Sequence, residues 1–271
     1  MKRVLIATDI HYCHFDYGGM HRDEKVKFLV KQIKEEYERE PFECILMLGD
    51  FSLDHWKWQV QGSWLKEGRS YTAEFIEGYC KELPAPCYMI AGNHEQYGEE
   101  KWRELTGGAR EHTVVVGDTL FILWDSYGAD LDPDFHSDGT YTPPKTEEIR
   151  AIMEAHPDKK VILCSHYFKP NGTEEEKALI RDERVVCLVM GHTHSSKVLT
   201  LPEDYGSKKI LQAGAWIDMH ADLGEVWGVR DIKLYDDRMT SDYIAPEADF
   251  FDKGEALKLH AHKRDSAEIL Y

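Results

Sequence analysis

The chain has 271 residues and a formal net charge of -17, with 50 acidic against 33 basic side chains. That balance argues against broad binding to nucleic-acid backbones or anionic membrane surfaces, which select Lys and Arg. It does not exclude an anionic small substrate, because bound cations would reverse the local field. No apolar run is long enough to span a bilayer, and the stretch between Arg3 and Asp9 is too short for a secretory signal.

The first apolar run, Val4-Leu5-Ile6-Ala7, reads as a strand buried on both faces and leads into Thr8-Asp9-Ile10-His11. From about His21 to Glu40, Val26, Leu29, Val30, Ile33 and Tyr37 recur on one helical stripe, and Pro41 ends the helix. Cys44 to Leu48 is a second strand, running into Gly49-Asp50; strand–helix–strand favours a parallel pair with a right-handed crossover. An aromatic loop, Phe51 to Arg69, carries Trp56, Trp58 and Trp64. A helix over about Thr72 to Glu82 turns Phe75, Ile76 and Tyr79 inward. Pro84 and Pro86 then precede a third strand, Cys87 to Ala91, which ends in Gly92-Asn93-His94-Glu95. Helical character returns around Glu99 to Leu105 and stops at Gly107-Gly108.

Thr113 to Val116 and Leu120 to Trp124, joined by Gly117-Asp118-Thr119, read as a hairpin that opens a second sheet. Asp125 to Pro144 is a long loop, and loops of that length are often functional. Thr146-Glu147-Glu148-Ile149 starts another helix, ending before Pro157. Val161 to Cys164 leads into Ser165-His166, and Val185 to Met190 leads into Gly191-His192-Thr193-His194. Lys197 to Leu201, Ile210 to Ala213, and a pair around Arg230 to Tyr235 and Met239 to Ile244 read as the rest of the second sheet. Residues 1–245 then form one domain, and the polar tail, 246–271, a short peripheral helix. The six cysteines lack Cys-x-x-Cys spacing. Four of them, Cys44, Cys87, Cys164 and Cys187, lie on the apolar runs, so they read as small hydrophobes in a reducing, cytoplasmic setting.

Five of these strands end in Asp, Asn or His, three of them beside a Gly that permits close backbone approach. In open α/β sheets ligands bind beyond the carboxyl ends of the strands. Asp9, His11, Asp50, Asn93, His166, His192 and His194 are therefore expected to converge on one edge. No thiolate lies among them, which argues against a zinc finger. Carboxylate, amide oxygen and imidazole suit Mn, Fe or Zn in a catalytic site. Seven donors exceed what one ion needs. Two ions sharing a bridging carboxylate account for the surplus, an arrangement that recurs in phosphatases and nucleases.

Asp9-x-His11, Gly49-Asp50, Gly92-Asn93-His94-Glu95, an isolated His166 and Gly191-His192-x-His194 resemble the five ordered blocks of the calcineurin-like metallophosphoesterases. The resemblance implies an α/β fold, a four-layer α/β/β/α sandwich of two mixed sheets flanked by helices. It implies that Asp9, His11 and His194 bind one ion, that Asn93, His166 and His192 bind the other, and that Asp50 bridges them. It further implies hydrolysis by metal-bound hydroxide attacking phosphorus, with His94 contacting the phosphate and protonating the leaving group. Gly49-Asp50-Phe51-Ser52-Leu53-Asp54-His55 lacks the Arg-Gly of the Ser/Thr protein phosphatases. Purple acid phosphatases carry a metal-binding Tyr where Leu53 stands and lack the first-block His, so neither branch fits.

Aromatic residues crowd the loops after these strands: Tyr12, Phe15 and Tyr17; Trp56, Trp58 and Trp64; Tyr127 and Phe135; Tyr167 and Phe168; Trp216 and His220. They could stack a base or sugar, or pack the loops onto the sandwich. Asn93, His94, Tyr12, Tyr167 and Lys169 are the expected substrate contacts; Arg22 and Arg69 either reach a second phosphate or stand as solvated charges. Asp54 either orients His94 or faces solvent. The expected partner is a small phosphomonoester or phosphodiester, nucleotide-like in size, rather than a membrane or a polymeric nucleic acid. The competing readings are a nuclease and a metal-binding scaffold that recruits proteins without turnover.

Overall fold

Strand β1 (Lys2–Ala7) explains the layering. Successive side chains of a strand point to opposite faces. Val4 and Ile6 accordingly enter an apolar core between two sheets, whereas Leu5 and Ala7 enter a second core beneath helices. A computed structural model describes residues 1–14, 16–17, 20–55, 68–128, 139–216, 228–244 and 265–271. In it β1 pairs in parallel with β4 (Cys44–Leu48), and β4 with β5 (Cys87–Ile90). The other edge of β1 takes the antiparallel run β12 (Val229–Leu234), β13 (Arg238–Ile244) and β14 (Ala267–Leu270). A two-residue hairpin, β2 (Asp16–Tyr17) with β3 (Met20–His21), stands apart from it.

The second sheet runs in the order β10 (Val198–Thr200), β11 (Lys209–Gln212), β9 (Val185–Met190), β8 (Lys160–Ser165), β7 (Thr119–Trp124), β6 (His112–Val116). Its central pairs, β11 with β9, β9 with β8 and β8 with β7, are parallel. Helices α1 (Arg22–Arg39), α2 (Tyr71–Gly78) and α3 (Glu99–Thr106) cover the first sheet through Val26, Leu29, Ile33, Phe75 and Trp102. Helices α4 (Thr146–Glu154) and α5 (Glu174–Arg181) cover the second through Ile149, Met153, Leu179 and Ile180. Two mixed sheets flanked by helices thus form the expected four layers. Among the described residues no helix is long and apolar enough to cross a membrane.

Three elements depart from the expectation. The pair β12–β13 joins the first sheet instead of completing the second. It sits against the free edge of β1, where Asp231 Oδ1 lies 2.8 Å from Arg3 Nε, and Ile232, Leu234 and Met239 close the core between the sheets. Helix α5 had no counterpart in the sequence reading, although Thr173 caps it by accepting the Glu176 N–H at 3.3 Å. The tail ends in a strand, β14 on the edge of the first sheet, not in a helix; residues 246–264, the rest of the expected tail, lie outside the described residues.

Candidate metal centre

The carboxyl ends of β1, β4 and β5 in one sheet meet those of β8 and β9 in the other, and the chain turns sharply at each. Asp9, His11, Asp50, His192 and His194 adopt positive φ of 53°, 51°, 54°, 65° and 53°. Such a conformation costs an L-residue about 1–3 kcal/mol and persists only where surrounding contacts impose it. Those contacts are present. The Asp9 N–H donates to the Gly49 carbonyl at 3.0 Å, the His11 N–H to the Asp50 carbonyl at 2.9 Å, and the Gly191 N–H to the His166 carbonyl at 3.0 Å. Buried Glu95 accepts N–H groups from Asp50 (2.7 Å), Gly92 (2.9 Å) and Ser52 (3.1 Å), tying two strand ends together. Gly92 must lack a side chain, since a Cβ there would stand 2.1 Å from Asp50 Oδ1 and 2.5 Å from the Asp50 nitrogen.

These turns aim the side chains at one place. Asp9, His11 and His194 form one group, with His194 Nε2 3.2 Å from Asp9 Oδ1. Asp50, His166 and His192 form another. Asp50 Oδ2 lies 3.2 Å from His11 Nε2 and 3.2 Å from His166 Nε2, so a single carboxylate touches both groups. Asn93 Oδ1 completes the second, 3.0 Å from both His166 Nε2 and His192 Nδ1. His94 stands at the junction: its Nε2 is 3.7 Å from Asp50 Oδ2, and its ring centroid is 5.2 Å from that of His11. All seven donor positions named from the sequence, and His94, are thus brought together.

The protonation states suit a cation. Burial would raise Asp50, but the charges of His166 and His94 and the hydrogen bonds of His11 and His166 hold its pKa well below the carboxylate range. Asp9 is held low in the same way, chiefly by His194. Burial drives His11 down to about 4. Burial together with the charge of His166 does the same to His192. Both rings are neutral at pH 7 and offer lone pairs. His166 is the exception: burial opposes its charge, but Asp50 and Asp9 lift its pKa to about 9. Its Nδ1 lies 2.6 Å from the Leu48 carbonyl, which only accepts, so that nitrogen donates there. Its Nε2 then faces the Asp50 and Asn93 oxygens, and only a proton or a cation relieves that meeting of acceptors. A metal ion would displace the proton. Oxygen and imidazole donors without thiolate fit Mn, Fe or Zn.

Other expected contacts fall elsewhere. Tyr12 is a correction: its ring is buried among Tyr71, Phe75 and Tyr79 beneath α2, where it packs the core and offers no face to a substrate. Asp54 neither orients His94 nor faces solvent. Its carboxylate is buried and accepts the N–H groups of Tyr71 (2.8 Å) and Thr72 (3.0 Å) and the hydroxyls of Ser70 (2.7 Å) and Tyr97, anchoring the start of α2. Asp54→Ala is therefore expected to cost about 1–3 kcal/mol of stability, read by denaturant unfolding, while turnover per folded molecule stays within about twofold. Arg22 is buried at the start of α1 and is not a solvated charge, whereas Arg69 and Lys169 are exposed. Phe15, Trp56, Trp58, Trp64, Phe135 and His220 lie outside the described residues.

Tyr167 does reach the site, with its ring centroid 4.5 Å from that of His192. Tyr127 is 5.7 Å from His166 and Tyr141 is 5.5 Å from Tyr167. Tyr141 was not singled out in the sequence, and neither was the strand-tying role of Glu95. An acidic residue directly after a donor-bearing Gly-Asn-His was the available signal for Glu95; a lone Tyr in an aperiodic loop gave none for Tyr141.

The chain matches the calcineurin-like phosphoesterase model over residues 2–196, and it belongs to that family. Among solved structures it resembles a dimetal phosphatase from Danio rerio, with a TM-score of 0.69 and 14% identity over 100% of this chain and 99% of that one. A purple acid phosphatase from yellow lupin seeds gives a TM-score of 0.57 at 12% identity, over 90% of this chain and 51% of the other. GAP50 of Plasmodium gives 0.54 at 12% identity, over 97% and 94%. At such identities the likeness speaks for the fold alone. No curated protein matches the chain by sequence.

Proposed function

We propose that this chain hydrolyses small phosphate esters with two cations, one held by Asp9, His11 and His194, the other by Asn93, His166 and His192, and both by Asp50. The observation that carries this reading is the position of Asp50, whose one oxygen stands 3.2 Å from an imidazole of each group. When bound, such cations supply Lewis acidity and water activated near neutral pH. The chain supplies the geometry. Left-handed turns fix five of the seven donors, and the Asp50 carboxylate is oriented by the His94 N–H donating to its Oδ1 at 3.0 Å. The His94 side chain, in its imidazolium form, would donate a proton to the departing oxygen. The acidic surface favours a small ester over a polymeric nucleic acid. Six free thiols, four of them buried, are compatible with a reducing compartment such as the cytoplasm.

The test is hydrolysis of p-nitrophenyl phosphate and bis-p-nitrophenyl phosphate by metal-stripped protein, with Mn²⁺, Zn²⁺ or Fe²⁺ restored. Turnover that returns with metal is expected, and the preferred ester separates mono- from diesterase. Tight binding of two ions with no turnover of either ester would overturn the hydrolase reading in favour of a scaffold.

A further inference from the structure

Three tyrosines border the second donor group. Tyr167 is partly buried and its ring is tilted 47° against His192; Tyr141 meets it edge-on, at 73°. Tyr127 is buried behind them, 6.1 Å from His192 and 6.5 Å from Tyr141. The group is held in place by polar contacts on every loop that carries it. The Tyr141 hydroxyl donates to the Lys169 carbonyl at 3.2 Å and accepts the Lys169 N–H at 3.1 Å. The Tyr167 N–H donates to Ser126 Oγ at 3.1 Å, and the Ser165 hydroxyl donates to the Tyr167 carbonyl at 2.9 Å. The Tyr127 N–H donates to Asp125 Oδ1 at 2.9 Å, and the buried Arg110 pairs with the same carboxylate. With its backbone held and its ring packed against His192 and Tyr141, Tyr167 has little side-chain entropy left to lose on binding.

We propose, resting on the phosphoesterase reading above, that Tyr167 is a specificity-determining residue: it stacks a planar aromatic group, a nucleobase in the first instance, on the ester whose phosphate lies at the neighbouring donors. Tyr141 and His192, whose rings meet it, set its tilt. The alternative role for these rings is to pack the loop onto the sheet; Tyr167 does lean on the core under α4 and α5, yet it is only partly buried and stands beside a donor ring. Stacking of one base is sequence-tolerant, so the preference is for an aromatic group as a class and not for one base.

Two esters with a common leaving group test this: a nucleoside 5′-(p-nitrophenyl phosphate) and methyl p-nitrophenyl phosphate. The wild type is expected to favour the nucleoside ester, and Tyr167→Ala to reduce the ratio of the two kcat/KM values on the order of tenfold, mostly through KM. Tyr167→Phe keeps the ring and is expected to keep the ratio. A second arm needs no turnover: calorimetric titration of the metal-loaded protein with thymidine 5′-monophosphate and with methyl phosphate. Tighter binding of the nucleotide, lost in Tyr167→Ala and kept in Tyr167→Phe, supports stacking even where neither ester is cleaved, an outcome that sinks the hydrolase reading alone. An unchanged ratio in Tyr167→Ala, or equal affinity of the wild type for both phosphates, overturns the inference.

Discussion

Asp50→Asn is expected to abolish binding of both cations together. The substitution keeps the size of the side chain and the acceptor for the His94 N–H, so the fold has no reason to change. What it removes is the negative charge that stands 3.2 Å from both His11 and His166. The affinity loss should exceed the roughly 10–100-fold that follows removal of a hydrogen-bonding partner behind a metal ligand, because here the donor itself is lost. Metal content after dialysis at micromolar free metal is the measurement. Retention of one tightly held ion would mean that the two groups bind independently and that Asp50 serves only one of them.

His94→Ala should have the opposite profile. Metal content is expected to match the wild type, while kcat falls about 10²–10⁴-fold, the usual worth of a positioned proton donor. The fall should be steepest on alkyl esters, whose leaving oxygens need the proton, and shallowest on p-nitrophenyl esters, whose leaving groups depart as anions. His94 also lies within reach of His11 and Asp50 as a third possible donor group. Loss of an ion in His94→Ala, with the rate unaffected once metal is saturating, would make it a ligand and falsify the proton-donor role.

Much of this was legible because the central strands are buried on both faces. Val4 to Ala7, Cys44 to Leu48 and Val185 to Met190 had to be unbroken apolar runs, and the first polar residue after each run marks where the sheet stops. The site residues stood there for the same reason. Edge choice left no comparable mark: nothing local to Arg230 to Ile244 states which sheet that hairpin joins, since the answer lies in Arg3 and in a free strand edge far away in sequence. Helix α5 is legible in Thr173-Glu174-Glu175-Glu176, a capping pattern, but its apolar stripe is too short to stand out beside the stronger strands on either side. Asp54 and Tyr12 show a different limit. A polar or aromatic residue close to a donor block can belong to the packing that holds the block, and only contacts such as those with Ser70 or Phe75 reveal it.

The donors are divided between the two sheets in a particular way. Asp9 and His11 leave the first sheet and His194 the second; Asn93 leaves the first, and His166 and His192 the second. Neither sheet alone presents a complete set. During synthesis, then, an emerging chain can close its first three parallel strands and still hold no competent centre until the turn after β9 has been made and the two sheets have met. A chain that stops short of the turn after β9 lacks His192 and His194, and so completes neither donor group.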